Sequence, residues 1–441
     1  MQLFKKILVG ILTLESRLIL AKYKPFIVAV TGSVGKTSTK DAIYCVLKDQ
    51  SRLVRKSQKS LNSEIGLPLT VIGVPNAWHN IAGWLGNIFR GLSLIIWRSE
   101  YPDCLVLEIG ADHPGDIKSI GRWLHPDITV ITKISRMPVH VEFFASPEEV
   151  FEEKAALAEA LKPGGTLVLF ADDDKIMSLA DRLSKLGKNA RTVSYGLSEK
   201  SHIRGLSGQM SYDEISHRPV GFSFEMQIGG ETIPLLIRDV AGDTYAYPLL
   251  AAAAVAEVRN IKAVDIGRRL SSYEPPKGRM NIIEGIRGSI LIDDTYNSSP
   301  DAASSALLSL KNLNIPSGTA GRKIAVLGDM MELGKYSIDE HRKIGREAVT
   351  IVSMLVVVGT RSRMTAEEAQ KSGLPAERIR SFENSAEAGE FLTGEVGNGD
   401  LVLIKGSQSM RMERVVKVLL KEPAKCHRLL VRQEKEWLEK K

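Results

Sequence analysis

The chain has 441 residues, of which 44% are hydrophobic and 25% charged. That mixture excludes a mainly disordered or fibrous protein, and at roughly 150 residues per domain the length predicts about two to three domains. Lysine and arginine total 59 against 52 acidic residues, a net charge of +7 that suits anionic phosphates or a membrane surface and does not by itself call for nucleic acid.

Residues 1–24 predict an amphipathic helix. Lys5 and Lys6 ahead of an apolar run resemble the start of a signal peptide, but Glu15 and Arg17 follow at once and no small-residue cleavage site appears. Leu3, Ile7, Ile11, Leu14 and Leu18 recur at helical spacing, so this stripe is expected either to pack on the protein or to lie on a membrane. No apolar run reaches the roughly 18 residues of a spanning helix.

Strands are predicted at 26–30, 105–109, 128–131 and 166–170, with helices near 36–47 and 147–161. This alternation predicts an α/β fold with a mostly parallel sheet and helices on both faces. Between the first two strands, residues 78–97 form an apolar stretch with Trp84, Phe89 and Ile96, flanked in its second half by Arg90 and Arg98. It is read as a helix packed on the N-terminal one, or as part of a membrane-facing surface with it.

Alternating apolar residues at 201–240 predict antiparallel strands, followed by an alanine-rich helix at 248–258. Two prolines at 275–276 mark a hinge, and strands at 289–292, 323–327, 354–358 and 401–404 predict a second, Rossmann-like α/β unit. The expected division is 1–24 helix, 25–272 central nucleotide-binding domain, 273–425 C-terminal domain and 426–441 charged tail. Cys45, Cys104 and Cys426 share no CxxC spacing, which argues for a reducing compartment and against a disulfide framework or a structural zinc site.

The sharpest local signal is TGSVGKTS, residues 31–38, after an apolar strand and opening a helix. Thr31, Gly32, Ser33, Val34, Gly35 and Ser38 would cradle phosphate with backbone N–H groups at a helix N-terminus. Lys36 would reach the outer phosphates of ATP, and the Thr37 hydroxyl would ligate magnesium. Val30 stands where GxxxxGK[ST] would have glycine, so the loop is a variant.

This loop resembles the ATP loop of the Mur ligases, which join an amino acid or peptide to a growing cell-wall precursor. The resemblance continues in NSEIGLPLT at 62–70, EIGADHPGDI at 108–117, GRM at 278–280, DDTYNSSP at 293–300, GDMMELG at 328–334, His341, and KGS at 405–407. It covers about residues 25–420. Within the family the set most resembles the cytoplasmic member that adds D-alanyl-D-alanine to UDP-N-acetylmuramoyl-tripeptide in peptidoglycan synthesis. The resemblance implies an ATP- and magnesium-dependent amide ligase that works through an acyl phosphate.

The resemblance also implies roles. Glu108, at the end of an apolar strand, would be a metal ligand. His140 would be another, and Lys154 a carbamylated lysine presenting anionic oxygen; by themselves the two residues read as a structural histidine and a helix-surface lysine. Arg279 would stabilise charge on the transferred phosphate, with Asp294 on ribose or positioning Arg279. Asn62, Tyr296 and Asn297 would face substrate. Lys405 reads as a surface residue or as the cation for the incoming dipeptide carboxylate.

His113 is read as a turn residue, and Asp172, Asp173 and Asp174 as a solvated loop. Three departures from the family pattern stand out: only about 24 residues precede the ATP-binding strand, GDTY at 242–245 occupies the place of a His-Asn pair near adenine, and ISRMPV precedes His140. A ligase with a lipid-linked or polymeric acceptor and a nucleotide-binding protein without catalysis are the competing readings.

Overall fold

A computed structural model describes residues 2–58, 61–78 and 80–439, with side chains from Lys5 onward. The Leu3 side chain of the predicted stripe and His79 of the apolar stretch lie outside the described residues.

The first sheet has nine strands: β1 Phe26–Thr31, β2 Val54–Lys56, β3 Cys104–Glu108, β4 Ile128–Ile131, β5 Thr166–Phe170, β6 Arg191–Gly196, β7 Ile203–Tyr212, β8 Pro219–Ile228 and β9 Glu231–Arg238. Their order is β2-β3-β1-β4-β5-β6-β7-β8-β9. Pairing is parallel from β2 to β7 and antiparallel through β8 and β9. The parallel strands are apolar runs buried on both sides, whereas β8 alternates buried and exposed residues.

The second sheet contains β10 Asn281–Glu284, β11 Ile290–Asp294, β12 Lys323–Gly328, β13 Met354–Val358, β14 Ile379–Phe382 and β15 Leu401–Lys405. The order is β10-β11-β15-β12-β13-β14, and all pairs but β10–β11 are parallel. Both sheets are α/β, as the alternation predicts. The alanine-rich helix Ala246–Val258 is buried along most of its length, and small side chains let it lie close to β5, β6 and β7.

Helices α1 Gln2–Tyr23, α2 Lys36–Leu47, α3 Gly66–Ile72, α4 Ile81–Ile96, α5 Asp116–Gly121 and α6 Pro147–Glu159 precede β5. Here one expectation needs correction. The predicted stripe of α1 is its outer face: Ile7, Ile11, Leu14 and Leu18 are exposed, while Leu8, Leu12 and Ile19 are buried against α3 and α4. The helix is apolar around most of its circumference, so spacing alone selects two stripes one residue apart. Lys22 ties the pair together by donating to the carbonyl oxygens of Leu94 and Ile95, at 2.8 Å each, and of Trp97 at 2.7 Å. The thiols of Cys45, Cys104 and Cys426 are all free and buried.

Candidate active site

The site forms where strand order reverses around β1. Register places Val30 of β1 beside Glu108 of β3, and Thr31 beside Ile131 of β4. The carboxyl ends of three strands therefore frame the loop at 32–35, the usual location of a ligand in an open α/β sheet. Gly35 adopts φ 85° at the start of α2, and no side chain caps that helix. The helix N-terminus thus offers its N–H groups and partial positive charge to an anion. Gly32 is required sterically, because a Cβ there would lie 2.0 Å from the Thr132 hydroxyl.

Lys36 folds back over the loop, donating to the Gly32 carbonyl at 2.9 Å. Burial pushes its pKa down, opposed by Glu108 and reinforced by Arg279. The Thr37 hydroxyl donates to Glu108 Oε1 at 3.1 Å, and Asn62 donates to the same oxygen at 3.4 Å. Glu108 Oε2 is buried without a hydrogen-bond partner, 3.8 Å from the Lys40 ammonium. A buried orphan carboxylate oxygen next to a hydroxyl and a phosphate loop fits a magnesium ligand. Among the described residues no three His, Cys, Asp or Glu side chains form a ready metal cluster. Thr37, Glu108 and His140 can supply protein ligands only alongside other oxygens, such as those of phosphate and water.

His140 sits at φ 68°, with Nδ1 2.7 Å from Glu332 and Nε2 3.6 Å from Asp112. Lys154 on α6 is buried, and desolvation, helped by Lys36, lowers its pKa to about 7; Glu153 and Asp112 oppose the shift. Lys154 is therefore not the surface lysine that the residues by themselves suggest. Asp112 acts on both His140 and Lys154, which ties these two residues to the phosphate loop.

From the second sheet come Arg279, Tyr296, Asn297, Asp294 and Lys405. The Arg279 guanidinium lies 4.1 Å from the centroid of the Tyr296 ring. One cleft of about 730 Å³ is lined by residues 33–37, Asn62, Glu108, His140, Arg279, Tyr296 and Asn297, among others. A second, of about 280 Å³, runs from Thr37 and Ser38 past Phe170, Asp243 and Tyr247 to Arg279, Asp294 and Lys405. Most of the sequence-predicted residues thus line these two clefts, while Lys154 lies buried on α6 outside both linings, and two others need correction. Thr31 is buried and its hydroxyl donates to the Ile109 carbonyl at 2.9 Å, so it supports the loop from below. Lys405 is neither a surface residue nor a free cation: it is buried and donates to Asp294 at 2.6 Å. The two face each other because β11 and β15 pair in register at these positions.

His113 lies exposed in a turn, its ring 5.0 Å from that of Phe143. The three aspartates serve structure: Asp172 accepts from Leu197 and Ser198 N–H, Asp173 caps a short helix, and Asp174 pairs with Lys200.

Sequence reasoning missed the tail. Arg432 donates to the Thr295 carbonyl at 3.0 Å, to the Tyr296 carbonyl, and to Glu413 at 3.1 Å. Its guanidinium lies 5.6 Å from the Tyr296 ring centroid, so Tyr296 is flanked by two arginines. Trp437 and Arg411 line the larger cleft. Charge alone marks residues 426–441 as solvated; only the Trp437 indole hinted at a packed role.

The matches to known proteins follow this layout. The Mur ligase middle domain matches residues 30–82 and 92–256, and the Mur ligase glutamate ligase domain matches 278–408. The chain is 30% identical over 417 residues to the UDP-N-acetylmuramoyl-tripeptide--D-alanyl-D-alanine ligase of Mycobacterium leprae, spanning 90% of this chain and 74% of that protein. This chain belongs to the Mur ligase family. The Bacillus subtilis enzyme of the same name is 27% identical over 400 residues, covering 90% of the chain and 76% of its own length. Among solved structures, the Thermotoga maritima MurF ligase in complex with ADP is 25% identical, with a TM-score of 0.72 and 95% and 84% of the two chains covered. MurF from Acinetobacter baumannii, 22% identical with a TM-score of 0.75, shares the fold over 94% of this chain and 81% of its own. As a Mur ligase, the chain carries its phosphate loop in the middle domain and Arg279 in the C-terminal one. No described helix is long and apolar enough to cross a membrane.

Proposed function

We propose that this Mur ligase adds D-alanyl-D-alanine to UDP-N-acetylmuramoyl-tripeptide at the expense of ATP, in the cytoplasm. The observation that carries the reading is the convergence of Lys36, Glu108, His140 and Arg279, drawn from both sheets, on one cleft. Residues 25–272 form the nucleotide-binding unit and 273–425 the closing unit, with the hinge at 271–278.

In this reading the acceptor carboxylate attacks the γ-phosphorus and ADP leaves. The amine of the dipeptide then attacks the acyl phosphate, and phosphate leaves as the amide forms. Residues 32–38 and Lys36 hold the phosphates, and the Arg279 guanidinium offsets charge on the group in transfer. The smaller cleft receives the nucleoside, with Asp243, Thr244 and Tyr245 in place of the family's His-Asn and Asp294 towards ribose. Asn62, Tyr296 and Asn297 border the two acids and the amine.

Thr37, Glu108, His140 and a carbamylated Lys154 would hold magnesium. When bound, it supplies the positive charge that lets two anions approach. Lys154 supports this assignment: a buried amine with a pKa near 7 is about half neutral at pH 7 and so able to take up carbon dioxide.

Phosphate release from ATP, measured with the purified chain, tests the proposal. Release should require both the muramoyl-tripeptide nucleotide and D-alanyl-D-alanine, and Lys36→Ala and Glu108→Ala should each lower it by about a hundredfold or more. Release that needs a lipid-linked or polymeric acceptor instead transfers the reading to a related ligase. ATP binding with no release under any pairing removes catalysis.

A further inference from the structure

The outer face of the α1–α4 pair is unlike a solvated helix surface. The inner faces are already spent on the core, through Leu8, Leu12 and Ile19 of α1 and Trp84 and Leu94 of α4. The outward residues are still apolar: Ile7, Ile11, Leu14 and Leu18 on α1, and Leu85, Phe89, Leu92 and Ile96 on α4. Phe89 is 69% exposed and Ile96 65%. Trp78 and Trp97, 72% and 64% exposed, bracket the two ends of α4. A helix that is hydrophobic on its outer face as well as its inner one is covered by something apolar.

Charge identifies what covers it. Residues 2–24 and 80–98 contain a single acid, Glu15, and it is buried. Their exposed charges include Lys6, Arg17, Lys24, Arg90 and Arg98, all cationic. Apolar side chains, tryptophans at the margins and an excess of exposed cations, with Lys5 paired to the exposed Glu64, match the interface of a bilayer with acidic headgroups. At about 1.5 Å per residue, the 16 residues of α4 make a rod of roughly 24 Å, too short for a bilayer core of about 30 Å, so it would lie along the surface.

This surface also borders the catalytic cleft. Lys5 of α1 pairs with Glu64 at 2.9 Å, and the adjacent Asn62 and Ser63 line the larger cleft. We propose that α1 and α4 dock the enzyme on an anionic lipid surface, with the rim of the cleft at 62–64 held close to that surface. The docking is independent of which acceptor the ligase uses.

Flotation of the full chain tests the proposal, using vesicles of phosphatidylcholine alone and vesicles containing phosphatidylglycerol. Binding is expected only to the latter and should fall with added salt. Two double variants separate the contributions: Leu14→Glu with Phe89→Glu, and Lys6→Glu with Arg90→Glu. Each should cut vesicle partition by about tenfold or more while leaving ATP-dependent phosphate release with soluble substrates unchanged. Absence of binding by the wild-type chain, or binding by both variants equal to that of the wild type, overturns the proposal. So does light scattering that shows a dimer in lipid-free buffer which Leu14→Glu with Phe89→Glu converts to monomer, since the face would then cover a second copy.

Discussion

His140 and Glu332 meet across the cleft, Nδ1 to Oε2 at 2.7 Å, and join the strand-end loop of the first sheet to that of the second. Both residues hold left-handed backbone, at φ 68° and 63°. The imidazole holds the Glu332 carboxyl below the usual carboxylate range, against the effect of burial. Glu332 thereby fixes the His140 ring, with Nδ1 engaged and Nε2 turned towards Asp112. Such an orienting partner typically accounts for about 10- to 100-fold in metal affinity. Glu332→Ala is expected to raise the magnesium concentration for half-maximal phosphate release by that factor, and Glu332→Gln by less, because it keeps an accepting oxygen. A magnesium titration unchanged in both variants refutes the link.

Lys154 yields a test that separates chemistry from folding. Lys154→Met fills the buried site without a charge, so thermal stability should hold or rise while phosphate release falls by about a hundredfold or more. In wild-type enzyme, stripping dissolved carbon dioxide should lower activity and bicarbonate should restore it. The restoration should be stronger above pH 7, where the amine is deprotonated. Activity indifferent to bicarbonate throughout that range counts against a carbamate.

Glu15 gives a prediction in pH. Burial pushes its carboxyl up from 4.5 to about 7, and neither oxygen has a hydrogen-bond partner. Through that window the folded chain keeps a proton that the unfolded chain releases, so the contribution to stability falls as pH rises and stays low above it. Glu15→Gln never ionises. The difference in melting temperature between Glu15→Gln and wild type should grow in favour of the variant from pH 4.5 to 7 and then level off. A difference independent of pH would show that the carboxyl ionises as freely in the fold as outside it.

The tail can be tested by comparing its two anchors. Arg432→Met removes one of the two arginines on buried Glu413, Arg411 remaining at 2.5 Å, and should cost about 1–3 kcal/mol in a denaturation experiment. Trp437→Ala removes a wall of the cleft and the ring over Arg411 and Arg432, at 5.4 and 5.6 Å, but spares the buried ion pairs. It should cost less than Arg432→Met in the melt while raising KM for a substrate that occupies the larger cleft. Identical kinetics for Trp437→Ala and wild type would reduce the tail to a structural strap.

Much of this layout was legible in the sequence, and the reason is physical. Apolar runs such as ILIDD and MLVVV are too short and too β-branched to be helices, so strands at β11 and β13 follow. The phosphate loop was legible because glycine at 32 leaves room for Thr132 and glycine at 35 favours the left-handed backbone that opens α2. What failed were matters of partner and depth. Of the two roles expected for the α1 stripe, packing on the protein fell to the neighbouring stripe, because packing with α3 and α4, not period, selects the buried side. The burial of Lys405 depends on its pairing in register with Asp294, 111 residues away. His140 and Lys154 drew meaning only from the family resemblance, since neither spacing nor composition reveals that Asp112 bears on both.

The buried thiols have a practical consequence. Cys104 lies inside the first sheet, where desolvation pushes its pKa up to about 12, so it stays a thiol and ignores alkylating reagents while the strand is in place. Cys45 is on α2 and Cys426 lies next to the tail that holds Tyr296. Three buried native reporters therefore stand in three different parts of the fold, and the order in which a maleimide dye reaches them would record how the molecule comes apart, without any label being engineered in.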